Sequence, residues 1–206
     1  SAFWQLGGNN VAAGQFLGST NNQPVEMRVN NRTALRLSPS GGVPNVLGGS
    51  ASNLVASGVE AATIAGGGLE AYPNRIGDSY ATIGGGTFNF AGGGWSTVAG
   101  GRDNDIGTNS GHSAIGGGSQ NNIATYYSDH ATIAGGCSNV IGANSAYSAI
   151  GGGQDNHIAD NSAYATIPGG YGNAASRYAF AAGNRAKANH AGAFVWADFQ
   201  NADFAS

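Results

Sequence analysis

The chain has 206 residues, of which 37 are glycine and 22 are asparagine, whereas Asp, Glu, Lys and Arg together make up only 9%. Glycine at this level without a G-X-Y period excludes collagen. The formal charge of −3 comes from scattered residues with no basic stripe, which argues against nucleic acid as a partner. Because no apolar run approaches the ~20 residues of a membrane-spanning helix, we expect no membrane insertion.

Residues 1–44 predict a short N-terminal β-hairpin cap. Val25, Met27 and Val29 alternate with polar residues, and Asn30-Asn31 supplies a turn. Alternation with a period of two on either side of a tight turn is typical of a hairpin. A hairpin at this place would shield the open strand edges of the structure that follows it.

Residues 45–195 contain about nine copies of a repeat built on the hexapeptide A/S-T/A-I-x-G-G. The hydrophobic residues of seven clear copies are 19, 15, 17, 18, 17 and 17 residues apart. A period of this length predicts a solenoid. The hydrophobic positions are Ile64, Ile83, Val98, Ile115, Ile133, Ile150 and Ile167, and from Ile83 onward an asparagine follows six residues later, at Asn89, Asn104, Asn121, Asn139, Asn156 and Asn173.

Each repeat has two short extended runs on either side of a glycine-rich corner. If successive copies stack, each run pairs with its equivalent in the next coil, which gives parallel ladders ~4.8 Å apart and a rod ~40 Å long. The equivalent asparagines would then form a ladder of their own. The sequence therefore predicts an all-β fold, a parallel β-roll or β-solenoid.

The column of isoleucines leaves two arrangements open. The inward positions of a slender coil would be mostly Ala, Ser and Gly, so an isoleucine column on the surface would be a larger apolar stripe than a soluble monomer normally exposes. Three such stripes would bury one another, which predicts a parallel homotrimer with the seven hydrophobic residues on its axis. In the alternative, the column faces inward in a monomeric solenoid.

The S-A-I-G segments at 113–116 and 148–151 resemble the core of the YadA-like heads of trimeric autotransporter adhesins. The resemblance covers residues 45–195 and implies a left-handed parallel β-roll, a homotrimer and a role in adhesion. The stride of about 17 residues is longer than in those heads, and Gly-Gly-Gly replaces a more polar turn. Residues 182–198 are similar to a segment of tail-fibre-like bacterial proteins that precedes an endosialidase-type chaperone domain. Residues 196–206 would then be a tail leading to a downstream region.

Residues with catalytic or metal-binding chemistry form no known constellation in the sequence. The four histidines, His112, His130, His157 and His190, have no partners at metal-ligand or triad spacing. The run 103–105 lacks the later glutamate of an EF-hand, and no phosphate loop is present. We therefore expect no enzyme, no metal and no cofactor.

The segments that change length between coils carry aromatic residues and form the candidate ligand-binding surface. Exposed aromatic rings beside polar groups suit recognition of sugars or proteins, and the candidates are Tyr72, Trp95, Tyr126 and His130. Other tyrosines precede the hexapeptide at similar offsets and predict an aromatic ladder that packs coil on coil, namely Tyr80, Tyr127, Tyr147, Tyr164 and Tyr178. Trp95 and Tyr72 fall outside that pattern.

These features together predict a non-enzymatic structural or adhesive head or shaft of a trimeric, extracellular bacterial surface or tail-fibre-like protein. Its variable loops would bind a host-surface protein, a glycan or another polymer. Two alternatives stay open: a fibre-borne polysaccharide-processing enzyme with a site between subunits, and a monomeric ice- or surface-binding solenoid. The latter needs a regular threonine face, whereas the column Thr63, Thr82, Thr132 and Thr166 is interrupted by Ser96, Ala114 and Ala149.

Overall fold

The computed structural model describes residues 8–199 and 203–206, and there the chain is an all-β solenoid of about nine turns. Two antiparallel strands, β1 (Val25–Val29) and β2 (Arg32–Ser38), come first and form the predicted hairpin. β2 then pairs antiparallel with β3 (Asn45–Gly48), the first strand of the solenoid. The hairpin thus extends the first sheet, while its role as a cap that shields open strand edges stays a prediction.

Most solenoid strands are two residues long, and they form two parallel sheets with one strand of each coil in either sheet. In the first sheet β3 is followed by β5 (Thr63–Ile64), β7 (Thr82–Ile83), β9 (Thr97–Val98), β11 (Ala114–Ile115), β13 (Thr132–Ile133), β15 (Ala149–Ile150), β17 (Thr166–Ile167) and β20 (Phe180–Asn184), which pairs with both β18 (Gly170–Tyr171) and β22 (Phe194–Ala197).

The second sheet contains the strand that follows each asparagine. Its members are β4 (Leu54–Val55), β6 (Arg75–Ile76), β8 (Phe90–Ala91), β10 (Asp105–Ile106), β12 (Asn122–Ile123), β14 (Val140–Ile141), β16 (His157–Ile158), β19 (Ala174–Ala175), β21 (Ala186–Ala188) and β23 (Phe204–Ala205). Single-residue parallel bridges add a third line of contact, through Thr87, Arg102, Ser119, Cys137, Gln154 and Tyr171. The predicted parallel solenoid is confirmed.

The core of the rod consists of the inward residues of the two sheets, which form one hydrophobic cluster. The inward residues of the first sheet meet those of the second, such as Ile106, Ile123 and Ile141. Because successive side chains of a strand point to opposite faces, the threonine or alanine before each inward residue points outward.

This arrangement corrects the predicted trimer axis. Ile64, Ile83, Val98, Ile115, Ile133, Ile150 and Ile167 are at most 1% exposed in a single chain. Side chains that are covered by their own coil cannot line an axis between three chains, so that part of the prediction is wrong and the column faces inward. A homotrimer therefore stays a proposal that needs a different contact face.

The repeat asparagines form the predicted ladder, and they are buried. Asn121 is representative: its Nδ2 donates to the carbonyl oxygens of Gly117 and Gly136, both at 3.0 Å. Its Oδ1 accepts the backbone N–H of Asn139 at 3.2 Å. Each asparagine thus donates to carbonyl groups of its own glycine corner and of the next coil, which offsets the cost of burying the asparagine side chain.

Candidate functional site

Seven rings stack face to face along one corner of the solenoid, and we call them the aromatic ladder. Neighbouring ring centroids are 4.9 to 5.4 Å apart, and neighbouring ring planes are within 11° of parallel. The members are Tyr80, Trp95, His112, His130, Tyr147, Tyr164 and Tyr178.

The backbone of the coil fixes the position of each ring. All seven residues have a positive φ of 55° to 62°, a conformation that costs a non-glycine residue energy. The backbone N–H of each one donates to a carbonyl group of the preceding coil, as Trp95 does to Ser79 at 3.1 Å and His112 to Gly94 at 2.9 Å. The ring spacing then follows the ~4.8 Å strand spacing, at which parallel rings are in contact.

The predicted ladder was right for Tyr80, Tyr147, Tyr164 and Tyr178 and wrong for Tyr127. It also omitted Trp95, which was expected to lie outside the ladder, together with His112 and His130. Every member stands three residues before the inward hydrophobic or alanine residue of its coil, whereas Tyr127 stands six before Ile133. The offset, and not the residue type, is the signal that identifies a ladder position.

A second line of exposed residues, which we call the ridge, runs beside the ladder. It arises where the connection from the second sheet to the ladder lengthens, from three residues between Ala91 and Trp95 to five between Ile106 and His112. The extra residues protrude with positive φ of 53° to 58°, and the ridge consists of Asn109, Tyr127, Asn144 and Asn161.

An open cleft of about 400 Å³ lies at the step where the ridge begins, and we call it the ladder cleft. The coil of Trp95 has only glycines at 92–94, so no side chain fills the space below Asn109. A Cβ placed on Gly94 would lie 3.4 Å from Oδ2 of Asp78, which locates this glycine at the floor. The lining residues are Asp78, Gly94, Trp95, Asn109, Gly111, His112, Tyr127, Asp129 and His130.

Two carboxylates of the ladder cleft are fixed by backbone N–H groups. Oδ1 of Asp129 accepts the N–H of Gly111 at 2.7 Å, and Oδ1 of Asp78 accepts the N–H of Ser79 at 2.7 Å. The lining residues include two aspartates and no lysine or arginine. The cleft can therefore offer negative charge, aromatic edges and amide or imidazole hydrogen bonds to a ligand.

The structure brings together two of the four predicted binding residues. Trp95 and His130 both line the ladder cleft. Tyr72 packs edge-on against Phe88, with ring centroids 5.6 Å apart, and lines a separate cleft with Leu69. Tyr126 is 59% exposed and does not line the ladder cleft. Sequence reasoning missed Asp78, Asn109, His112, Tyr127 and Asp129, because only the change in coil length places them around one space.

The outer face of the first sheet carries small residues. Thr97 occupies the register position between Thr82 and Ala114, while Ser96 is buried. The expectation that Ser96 interrupts the threonine column was therefore wrong. The column reads Thr63, Thr82, Thr97, Ala114, Thr132, Ala149 and Thr166, and the outward positions two residues further along hold Ala65, Gly84, Ala99, Gly116, Ala134, Gly151 and Pro168.

No known family model matches this chain, and no curated protein is significantly similar to it. The described part of the chain contains no helix that is long and apolar enough to cross a membrane. Within the same residues, no group of three or more His, Cys, Asp or Glu side chains is placed to hold a metal ion.

Proposed function

We propose that this chain is a non-enzymatic structural and adhesive module, the head or shaft of a trimeric bacterial surface or tail-fibre-like protein, and that it binds an extended glycan. The observation that carries the proposal is the aromatic ladder, because its rings are exposed and repeat at a constant interval along the rod. Trp95, for example, is 58% exposed although it stacks on both sides.

The ladder presents ring edges to a ligand, since the ring faces cover one another. Its edges carry the phenol, indole and imidazole groups, which give one hydrogen-bonding group about every 5 Å along the corner. A stiff polysaccharide with equatorial linkages advances by a similar distance for each sugar. One sugar per coil would then place its hydroxyl groups beside successive rings.

The interior of the rod supports this role because it holds the rings in a fixed geometry. Buried asparagines join every coil from Asn53 to Asn173 to its neighbours. A site that is rigid before binding loses less conformational entropy when the ligand arrives. Single contacts that are weak can then add up along the ladder.

Co-sedimentation with insoluble polysaccharides tests the proposal. We expect binding to at least one extended polysaccharide, and we expect Tyr147→Ala with Tyr164→Ala to weaken it at least several-fold. His157→Ala, on the outer face of the second sheet, serves as the control. Undiminished binding by the ladder variant, or cleavage of the polymer detected by mass spectrometry, would contradict a binding module of this kind; cleavage would favour the fibre-borne enzyme.

The outer face of the first sheet is the contact surface that a homotrimer would use. Its outward residues are small and uncharged over seven coils, so three such faces would pack closely. Light scattering should give a mass of about 61 kDa, which is 3 × 20.4 kDa. Thr97→Arg with Thr132→Arg should lower that mass to 20.4 kDa while the circular dichroism spectrum is retained. A wild-type mass of one chain would rule out the trimer.

The same face favours one second candidate, the monomeric ice- or surface-binding solenoid. Thr97 makes the threonine column more regular than the sequence suggested, with five threonines at seven positions in register. Thermal hysteresis of the wild-type chain that is lost in Thr97→Arg would favour this candidate, and its absence would exclude ice as the ligand.

A further inference from the structure

We propose that the ladder cleft binds an amino sugar residue through its ammonium group, within a longer sugar chain that lies along the aromatic ladder. This inference rests on the proposed glycan binding and specifies the chemistry of one subsite. It follows from three features of the cleft, namely its shape, its charge and its place beside the ladder.

The shape of the cleft comes from one change in the repeat. Gly94 lies at its floor, and Asn109 and Tyr127 of the ridge form one wall, while Trp95 and His112 of the ladder form the other. A volume of about 400 Å³ is at the lower end of the range for small-molecule sites and suits a single sugar residue. Because the cleft is open, the neighbouring sugars can continue along the ladder.

The charge of the cleft favours a cation. Asp78 and Asp129 lie at the same cleft, and each already has one carboxylate oxygen hydrogen-bonded to a backbone N–H group. The remaining oxygen of each aspartate can accept from an ammonium group. A charge-assisted hydrogen bond of this kind contributes about twice as much as a neutral one.

At the other end of the ladder, a ring that stacks on only one side accepts a positive charge. There Arg177 lies over the ring of Tyr178, with its guanidinium carbon 4.9 Å from the ring centroid. Arg177 stands in a short connection, like that of Trp95, but here the chain supplies its own cation. In the ladder cleft the corresponding cation would come from the ligand, with cation–π attraction to the exposed ring of Tyr127, because both faces of Trp95 are covered by its ladder neighbours.

A sugar amine suits the cleft better than a lysine side chain. The polar groups of Asn109, His112 and His130 are spread over the walls, where they can bond several hydroxyl groups of a ring. A lysine side chain would bring one ammonium group and an apolar stem, and beyond the ammonium group it could bond none of these groups. A lysine peptide is therefore an alternative ligand for the test to exclude.

Isothermal titration with four soluble oligomers tests the inference at a pH at which the sugar amine is protonated. The ligands are hexamers of glucosamine, N-acetylglucosamine, glucose joined by β-1,4 bonds, and lysine. We expect the glucosamine hexamer to bind about tenfold more tightly than the two neutral sugars, because one charge-assisted hydrogen bond contributes about that factor to the affinity. We expect Asp78→Asn and Asp129→Asn each to remove about that factor.

Two further variants separate the cleft from general electrostatics. Gly94→Ala should weaken glucosamine binding, because the added methyl group occupies space at the floor of the cleft. The fold should tolerate this methyl group, since it would make only ordinary contacts with the protein. Asp155→Asn removes an exposed carboxylate at a different corner and should leave binding unchanged. Unchanged thermal unfolding of all four variants would show that the fold is preserved.

Each outcome decides a different point. Equal binding of all three sugar hexamers would overturn recognition of the amine but leave the glycan-binding proposal standing. Equally tight binding of hexalysine would overturn the assignment to a sugar. Glucosamine binding that survives in Asp78→Asn with Asp129→Asn would overturn the site. Absence of binding by every sugar here, and by every polysaccharide in the co-sedimentation assay, would overturn both proposals.

Discussion

Nδ2 of Asn121 donates a hydrogen bond to Oδ1 of Asn104 at 3.0 Å, and the backbone N–H of Asn121 donates to the same oxygen at 3.1 Å. Both residues are at most 1% exposed. One side-chain oxygen therefore serves two donors of the next coil, and the pattern repeats from coil to coil. Because the asparagines are buried, the loss of Asn121 leaves the backbone N–H and the side-chain amide of Asn139 without this acceptor.

Asn121→Ala is the first prediction. The substitution removes the donors to Gly117 and Gly136 and the acceptor for Asn139, so we expect the free energy of unfolding to fall by about 3 kcal/mol or more. Urea denaturation measures the change. Asn122→Ala, at an outward position of β12, is the matched control and should change it by about 0.5 kcal/mol or less. Similar losses in the two variants would show that the ladder does not stabilise the rod.

Gly118→Ala should be as damaging as the loss of an asparagine. Gly118 has a φ of +87°, and a Cβ there would overlap the carbonyl oxygen of Gly136. We expect a loss of about 2–4 kcal/mol in the free energy of unfolding. At Gly66 a Cβ would meet no atom within 4 Å and φ is not positive, so Gly66→Ala should be neutral or slightly stabilising. The reverse order of stability would refute the role of the glycine corner.

Tyr147→Ala should break the aromatic ladder at its fifth ring. Its ring stacks between His130, 5.0 Å away, and Tyr164, 5.2 Å away. We expect a loss of about 1–2 kcal/mol and a reduced near-ultraviolet circular dichroism signal, because two ring contacts disappear. Tyr147→Phe keeps both contacts and should retain the stability. An equal loss in the two variants would assign the effect to the hydroxyl group.

Asp105→Asn should stabilise the fold in a pH-dependent way. Burial, with a smaller effect from Asp103, raises the pKa of the Asp105 carboxyl group above its ordinary value of 3.8. The ionised carboxylate therefore opposes folding at every pH above the raised pKa, and this effect disappears as the pH falls below 3.8. The variant should be more stable than wild type at neutral pH and equal to it in acid. Thermal unfolding of both proteins from neutral to acidic pH measures this effect. A difference in unfolding temperature between variant and wild type that does not change with pH would contradict the prediction.

Asp203→Asn should loosen the last strand. The hydrogen bond from Arg185 Nε to Asp203 Oδ1, 2.8 Å long, lowers the pKa of Asp203 below its ordinary value of 3.8. The ionised Asp203 carboxylate therefore stabilises the folded chain above pH 3.8, and this stabilisation is lost as the pH falls through the lowered pKa.

Hydrogen exchange of the Phe204 amide, which donates to Arg185 O at 3.2 Å, measures this effect. Exchange should be faster in the variant at neutral pH and the same as wild type once Asp203 is protonated. Asp155→Asn is the control. Unchanged exchange at neutral pH would show that the ion pair does not anchor β23.

The repeat in the sequence was sufficient to predict the parallel sheets and the asparagine ladder, because both follow from stacking identical coils. It did not decide which way the isoleucine column faces. The physical reason is the volume of the coil interior. The predicted interior contained only Ala, Ser and Gly, because the sequence analysis omitted the second buried apolar column at Ile106, Ile123 and Ile141. With that column present, one chain fills its own core.

The candidate site was less predictable, because it depends on differences between coils. Trp95 and His130 could be picked out as unusual residues, but Asp78 and Asp129 are separated by 51 positions in the chain. They meet at one cleft only because the glycines at 92–94 form a short connection between them. An alignment of coils by the inward residue would have revealed that shortening, and with it the true membership of the ladder.

The continuity of the buried asparagine ladder also determines how the length of such a rod can change. Each coil offers the next one the same carbonyl groups, the same side-chain oxygen and an aromatic ring at the same position. A whole coil can thus be added or removed without creating a new kind of contact, and the rod changes length in steps of ~4.8 Å. The number of repeats therefore sets the length of the rod, and a gene that gains or loses one copy changes the distance between the two ends of the rod by that step.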